Sequence, residues 1–187
     1  LCICDKDKQD LYSQSFFEAS MRTIAVYPGK SGTAHLRDVA KPVINDSEVL
    51  VKTVCAGVCG TDLEINQGLY GTAPEGCDYL IMGHESIGIV EEIGSKVENL
   101  YGSWVFPKLS VGDYVVRTVR RPCGNCGNCS HGMNDACSTG DYTESGIKGI
   151  HGVMADYYKD SPEYLVLVPP EHKDVSVLLE PLSVVMM

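Results

Sequence analysis

The sequence has no apolar stretch near the roughly 20 residues needed to span a bilayer, and its N-terminus lacks the basic-then-apolar order of an export signal. It holds a single tryptophan, no internal repeat, no low-complexity tract and no basic stripe. Only 15 Lys and Arg face 25 Asp and Glu, a net charge of -10. Phosphate recognition needs clustered cations, so this balance argues against a nucleic-acid partner. The expected protein is soluble and cytoplasmic, with neither membrane nor nucleic acid among its partners. Hydrophobic residues make up 44% and charged residues 21% of the 187, an ordinary globular balance that supplies a sizeable core and argues against disorder over most of the length.

Cysteine is what the chain has in excess, with nine. A secreted disulfide framework would account for that number, but four of them stand at metal-ligand spacing in a chain without an export signal, which points to bound zinc. They are Cys123, Cys126, Cys129 and Cys137 in "CGNCGNCSHGMNDAC", with two residues between each of the first three and seven before the fourth. Four thiolates at such intervals can converge on one tetrahedral ion, and Gly124, Gly127 and Gly132 let the backbone wrap tightly around it. A closed sulfur shell leaves no position for substrate or water. The expectation is therefore a structural zinc that stabilises a loop with little core of its own. His131 lies inside this loop and is expected to be solvated, since four sulfurs already complete the shell.

Residues 1–20 are polar and aperiodic and are expected to form a poorly ordered extension, whereas "MRTIAVYPGK" at Met21 starts like a strand. Cys2 and Cys4 in that extension are expected to be surface thiols near a frayed terminus rather than a metal or redox pair. From Met21 onward, short β segments at 23–27, 48–56, 86–93, 113–119 and 153–158 are punctuated by Gly, Pro and Asp, which suggests a barrel or sandwich. A further run at 165–168 leads into Pro169 and Pro170, after which Asp174 is placed to cap a helix that begins at Val175 and runs to the end. The expected division is an extension at 1–20 and one zinc-binding domain at 21–187, with its cysteine lobe at about 120–140. Trp104, in "VENLYGSWVFPKLSVGD", is expected to pack locally rather than to anchor a partner.

A second constellation is more dispersed. "AGVCGTDLE" carries Cys59, Thr61 and Asp62 where a strand turns toward a helix, and "MGHESIG" carries His84 and Glu85 just before the next strand. Together they offer a soft thiolate, an imidazole and carboxylates, the mixed ligand set of a catalytic zinc with an open position. A cysteine at a helix N-terminus also has its thiolate favoured by the backbone dipoles. Taken alone, Cys59 reads more readily as a buried thiol and His84 as a satisfied core histidine than either does as a ligand. Glu180 interrupts the apolar run "LLEPLSV". It is either a further ligand or a solvent-facing residue of the first helical turns, and spacing does not choose between them.

In their order, "AGVCGTD", "GHE", "VGDYVV", the four-cysteine loop and "LLEPLSV" resemble the zinc-dependent medium-chain alcohol and polyol dehydrogenases. With "DYTESGIKGIHG", the chain is most similar to the archaeal-type glucose dehydrogenases among them. The resemblance runs from about Met21 to the last residue and implies a mainly β fold with short helices, the GroES-like, partly open β-barrel. In such proteins a Rossmann domain normally follows. No G-x-G-x-x-G follows a strand here, so the chain is expected to stop at the linker helix, before the cofactor domain. One departure from the family is a longer stretch between "EEIGSKVENL" and "VGDYVV", including "YGSWVFPK".

The resemblance also implies roles. Cys59 and His84 resemble ligands of the catalytic zinc, with Glu180 at the position of a further ligand and Glu85 resembling the carboxylate that approaches the metal directly or through water. Thr61 resembles the hydroxyl that hydrogen-bonds the substrate alcohol and starts a proton relay, and Asp62 the acceptor that orients a zinc-bound histidine. Glu144 resembles a contact to a sugar hydroxyl, although an exposed turn residue describes it equally well. His151 is expected to be a structural turn residue, and His35 and His172 surface residues.

The implied cofactors are two zinc ions, one catalytic and one structural, and NAD or NADP held by the domain expected to be missing. The implied reaction is oxidation of a sugar or alcohol hydroxyl, with zinc as Lewis acid and hydride passing to nicotinamide. The full-length protein is expected to be a homo-oligomer acting on a small-molecule alcohol or sugar, and this chain alone to bind zinc without turnover. Rival readings are another polyol- or threonine-type dehydrogenase of the same family, a non-catalytic zinc module that docks partners, and a thiol switch built on Cys123 and Cys126.

Overall fold

Period-two patterning accounts for the first strand, β1 (Ser20–Val26), in which Met21, Thr23 and Ala25 are buried while Arg22 and Ile24 face outward, as the pleat requires. The computed structural model describes residues 20–97 and 108–186. The expectations for Cys2, Cys4, Trp104 and its longer loop fall outside these residues.

After β1 come β2 (His35–Ala40), β3 (Val49–Ala56), the helix α1 (Gly60–Asn66), β4 (Leu80–Ile81), β5 (Ser86–Ile93), β6 (Tyr114–Arg117), β7 (Arg120–Arg121), β8 (Thr143–Ser145), β9 (Gly149–Ile150), β10 (Tyr157–Asp160) and β11 (Leu165–Val168). They form three sheets among the described residues, in the orders β2-β1-β4, β10-β3-β5-β6-β11 and β7-β8-β9. None of these orders returns on itself. The architecture is mainly β with short helices, and the barrel is partly open.

The five-stranded sheet carries the main core: Val49, Val51, Val90 and Val115 are fully buried and pack with Tyr158 and Leu165. A second cluster, of Val26, Leu80, Met82, Ile147 and Met154, takes in Ile65 of α1. Fully burying a side chain of that size stabilises by about 2 kcal/mol, and it pins α1 to the sheets. Met154, on the approach to β10, is stitched to β1 and to the segment after β4. The Ile24 N–H donates to Met154 O at 2.8 Å, Met82 N–H to Ile24 O at 3.0 Å and Met154 N–H to Met82 O at 2.9 Å.

Two sequence expectations are corrected here. The strand expected at 153–158 begins only at Tyr157, because the Gly152, Val153 and Met154 N–H groups are spent on Ile81 O, Gly83 O and Met82 O. Asp174 does not cap a helix starting at Val175. Pro169 and Pro170 open a 3-10 turn at Pro170–His172, the Val175 N–H closes back on His172 O at 3.1 Å, and a second 3-10 turn at Ser176–Leu178 precedes the α-helix Leu179–Val185. Consecutive 3-10 turns thus occupy the stretch where the sequence suggested one continuous helix, and the α-helix starts only at Leu179. The terminal helix leaves Val184, Val185 and Met186 exposed.

One buried ionic network was not anticipated. Asp160 on β10 accepts from Arg117 Nε at 2.5 Å and from Arg121 Nη2 through the same oxygen. Arg117 also donates to Ser145 Oγ at 2.7 Å and His151 O at 2.9 Å, so one guanidinium ties the five-stranded sheet to the small one. Removing a carboxylate that serves two buried cations leaves both uncompensated, which typically costs about 3–5 kcal/mol. Asp160→Asn is expected to lower the urea unfolding free energy of the zinc-loaded chain by about 3 kcal/mol or more. A change below about 0.5 kcal/mol would contradict this account of the network.

Candidate metal centres and substrate site

The chain leaves β3 at Ala56 and turns at Gly57, whose N–H donates to Glu85 O at 2.9 Å. A Cβ on Gly57 would lie 2.1 Å from Glu85 Oε2, so any side chain there would displace the Glu85 carboxylate from its position. Cys59 follows as the N-cap of α1, with extended backbone (φ -122°, ψ -176°), and Thr61 and Asp62 lie in the first turn. Asp62 is buried on the inner side of α1, together with Ile65 one turn on. Asp62 Oδ2 accepts from the Cys59 N–H at 2.9 Å, so the residue that starts the helix is held by the side chain three positions later. Between β4 and β5, Gly83 adopts φ +87° and presses on Met154, a conformation open to glycine, and this turn delivers His84 into the interior.

His84 is 5% exposed and Asp62 is 2% exposed. Cys59 Sγ lies 3.1 Å from His84 Nε2, and His84 Nδ1 lies 4.0 Å from Asp62 Oδ1. Neither Nδ1 nor Oδ1 has a hydrogen-bond partner at these positions, although both are buried. Such orphaned groups are costly, and these two face each other, a carboxylate opposite the imidazole nitrogen that such a group steadies in metal-binding histidines. Among the described residues, two overlapping triples share His84: Cys59, Asp62 and His84, and His84, Glu85 and Glu180, the ligand atoms of each triple within 4.8 Å of one another. Of the expected ligands, Cys59 and Glu180 are each gathered with His84, in separate triples. Glu180 stands in the first turn of the terminal helix but is partly buried, and burial, seconded by Glu85 and Asp62 and opposed by His84, raises its carboxyl above the usual range. Thiol, imidazole and carboxylate around an orphaned histidine form a donor set that fits zinc.

The four cysteines between β7 and β8 also converge, with all Sγ atoms within 4.8 Å of one another. Zn–S bonds of about 2.3 Å set tetrahedral sulfurs about 3.8 Å apart, and Cys123 Sγ to Cys129 Sγ is 3.8 Å. Cys126 caps the short turn Gly127–Ser130 and accepts from the Cys129 N–H at 3.4 Å. That donated hydrogen bond, with another from Ser138, brings its thiol down to about 5; burial pushes Cys129 up to about 12, and Thr139 draws Cys137 down to about 7. His131 is exposed, with Nδ1 directed at Gly127 O 2.6 Å away.

Glu144 is not an exposed turn residue. It sits buried on β8, paired in register with Arg120 of β7, because a cross-strand guanidinium compensates the charge. His151 accepts from the Ile81 N–H at 3.1 Å and stacks on Tyr79, and burial lowers its pKa to about 4, with Arg117 and Arg37 adding to the effect. His35 is half-buried against Tyr27 rather than on the open surface, and His172 is exposed. An open groove of about 360 Å³ between β1, β2 and β3 is lined by Ile24, Leu36, Val54, Val58 and Met154 among others, and Cys59, His84 and Glu180 are not among its lining residues. The three arginines Arg117, Arg120 and Arg121 escaped sequence reasoning. The "VRRPC" run beside the first loop cysteine was the one local hint.

Among the described residues no helix is long and apolar enough to cross a membrane. Glucose 1-dehydrogenase of Methanocella arvoryzae is 50% identical over 166 residues, 88% of this chain and 44% of that protein. Glucose 1-dehydrogenase 1 of Caldivirga maquilingensis is 47% identical over 165 residues, 88% of this chain and 43% of that one. The crystallised glucose dehydrogenase of Haloferax mediterranei, in complex with NADP, Zn and gluconolactone, superposes with a TM-score of 0.73 at 34% identity, covering 88% of this chain and 43% of its own. The chain therefore spans less than half the length of these relatives. Residues 45–170 match the alcohol dehydrogenase GroES-like domain, and with the open β architecture and the two cysteine-bearing clusters already described, the chain belongs to that family.

Proposed function

We propose that the chain is the zinc-binding catalytic domain of a dehydrogenase that oxidises a sugar hydroxyl, glucose in the first instance, with NAD or NADP as hydride acceptor. The observation that carries this reading is the buried His84, set between the Cys59 thiol and the Asp62 carboxylate, with Glu85 and Glu180 on its other flank. Cys59 and His84 hold the catalytic zinc, Glu180 and Glu85 complete or relax its shell, and Asp62 orients the imidazole. Zinc, when bound, supplies a Lewis acid that lowers the pKa of a hydroxyl.

The remaining work falls to side chains. Thr61, in the first turn of α1 beside Cys59, hydrogen-bonds the substrate hydroxyl and takes its proton outward. Glu144 accepts from a further sugar hydroxyl, a charge-assisted bond that a simple alcohol cannot make. The four-cysteine lobe holds a second, structural zinc. Because the chain spans less than half of the relatives' length, the nicotinamide is assigned to a protein of their full length. The NADP and Zn named with the Haloferax mediterranei structure and the names of the two relatives support this reading.

Loss of several kcal/mol of charge stabilisation corresponds to about 10³-fold in rate. In a full-length protein carrying this domain, Cys59→Ser and His84→Ala are each expected to lower kcat/KM by about that factor. Turnover that persists unchanged in both variants contradicts the assignment. Glu144→Gln is expected to raise the KM for glucose by about tenfold or more while leaving that for a simple alcohol unchanged, because the charge-assisted bond it weakens is one that only the sugar makes. Equal effects on both substrates would remove Glu144 from sugar recognition.

A further inference from the structure

The guanidinium of Arg120 reaches in two directions. Nη2 and Nε donate to the same oxygen of Glu144, Oε1, at 2.8 and 3.3 Å, which leaves Oε2 outside the clamp. Nη1 donates to Asp135 O at 2.8 Å. Asp135 lies in the 3-10 turn Asn134–Ala136, directly before Cys137, the last cysteine of the loop. That turn is held to the rest of the loop by Asn128 Nδ2, which donates to Ala136 O at 2.6 Å. The Arg120 side chain is in turn held against the Tyr142 ring at 4.2 Å, a ring that also receives Lys148 at 4.2 Å. Planar, multiply bonded and stacked, this guanidinium is a fixed strut rather than a loose surface cation.

We propose that Arg120 is a positioning residue that transmits the order of the four-cysteine loop to the Glu144 carboxylate, so that the metal in the loop sets the aim of a sugar-binding group. The functional half of this rests on Glu144 contacting the sugar; the mechanical half rests on the two-way clamp alone. The loop has only two buried residues of its own between β7 and β8, Cys126 and Cys129, so its backbone depends on the metal for its shape. While the loop is closed, Asp135 O holds one end of the strut and Oε1 of Glu144 the other, with Oε2 turned to a ligand. When the loop opens, Nη1 loses its acceptor and Glu144 loses its fixed orientation. The lobe then acts on substrate affinity as well as on stability.

Coupling of this kind is reciprocal, so it can be read at the metal. In the Cys59→Ser chain, which leaves the loop as the one strong zinc site, zinc release to a chromogenic chelator is measured for the parent, Arg120→Gln, Glu144→Gln and the double variant. Each single change is expected to speed release about fivefold, and the double variant to release no faster than Arg120→Gln. Effects that multiply, or Glu144→Gln releasing at the parent rate, overturn the strut. Arg120→Lys keeps the charge and the fold but not the fork, and is expected to behave like Arg120→Gln; parent-like release from Arg120→Lys also overturns it. In a full-length protein, Arg120→Lys is expected to raise the glucose KM about tenfold with kcat retained and to add nothing in the Glu144→Gln background. If the release cycle couples but the glucose KM does not move, the strut stands and the sugar role of Glu144 falls.

Discussion

The burial of His84 between a thiol and a carboxylate is the constraint on which the rest of the site depends. An imidazole with an unpartnered nitrogen in the interior is unfavourable unless something binds it, and the fold spends several devices on keeping it there. Gly83 turns the chain inward, and backbone bonds among Ile24, Met82 and Met154 lock the approach. Gly57 clears space for Glu85, and Asp62 both starts α1 and faces Nδ1. Ile65 holds α1 against the sheets, so the position of Cys59 follows from apolar packing nearly two turns away. A core contact and a donor set are thereby parts of one arrangement.

The second organising element is cationic. Arg117, Arg120 and Arg121 lie at the end of β6 and along β7, and each reaches across to a different sheet or loop. In an acidic chain these guanidiniums are placed where carboxylates would otherwise be buried alone: Asp160 between two of them, Glu144 against the third. The small sheet β7-β8-β9 is attached through Ile147, which packs in the second core cluster from the connection between β8 and β9, and through these planar, multiply bonded groups, which link it to the larger sheet and to the cysteine loop.

What could be read in the sequence tracks how local the physics is. Four cysteines within one short loop announce their convergence by spacing, and the structure gathers them. Cys59 and His84 are 25 residues apart, and no periodicity brings them together; resemblance did, and the turns at Gly57 and Gly83 supply the physical reason. Strands with inward-facing apolar residues, such as β1, β3 and β5, were visible, whereas β2 was not, because its exposed positions include Leu36 and its half-buried ones Arg37. Burial of Glu144 was hidden since its compensating charge lies 24 residues upstream. The Arg117–Asp160 pair, 43 residues apart, was equally out of reach. Asp174 misled because a residue suited to capping matters only where a helix starts, and here two 3-10 turns come between the prolines and the α-helix at Leu179.

Two metal centres of different kinds in one domain is the central claim, and metal counting tests it most directly. Native mass spectrometry of the purified chain is expected to show two zinc ions, with Cys59→Ser or His84→Ala losing one and retaining the one held by Cys123, Cys126, Cys129 and Cys137. A single zinc that survives both substitutions unchanged would contradict the account, leaving a structural lobe on a domain without a second metal.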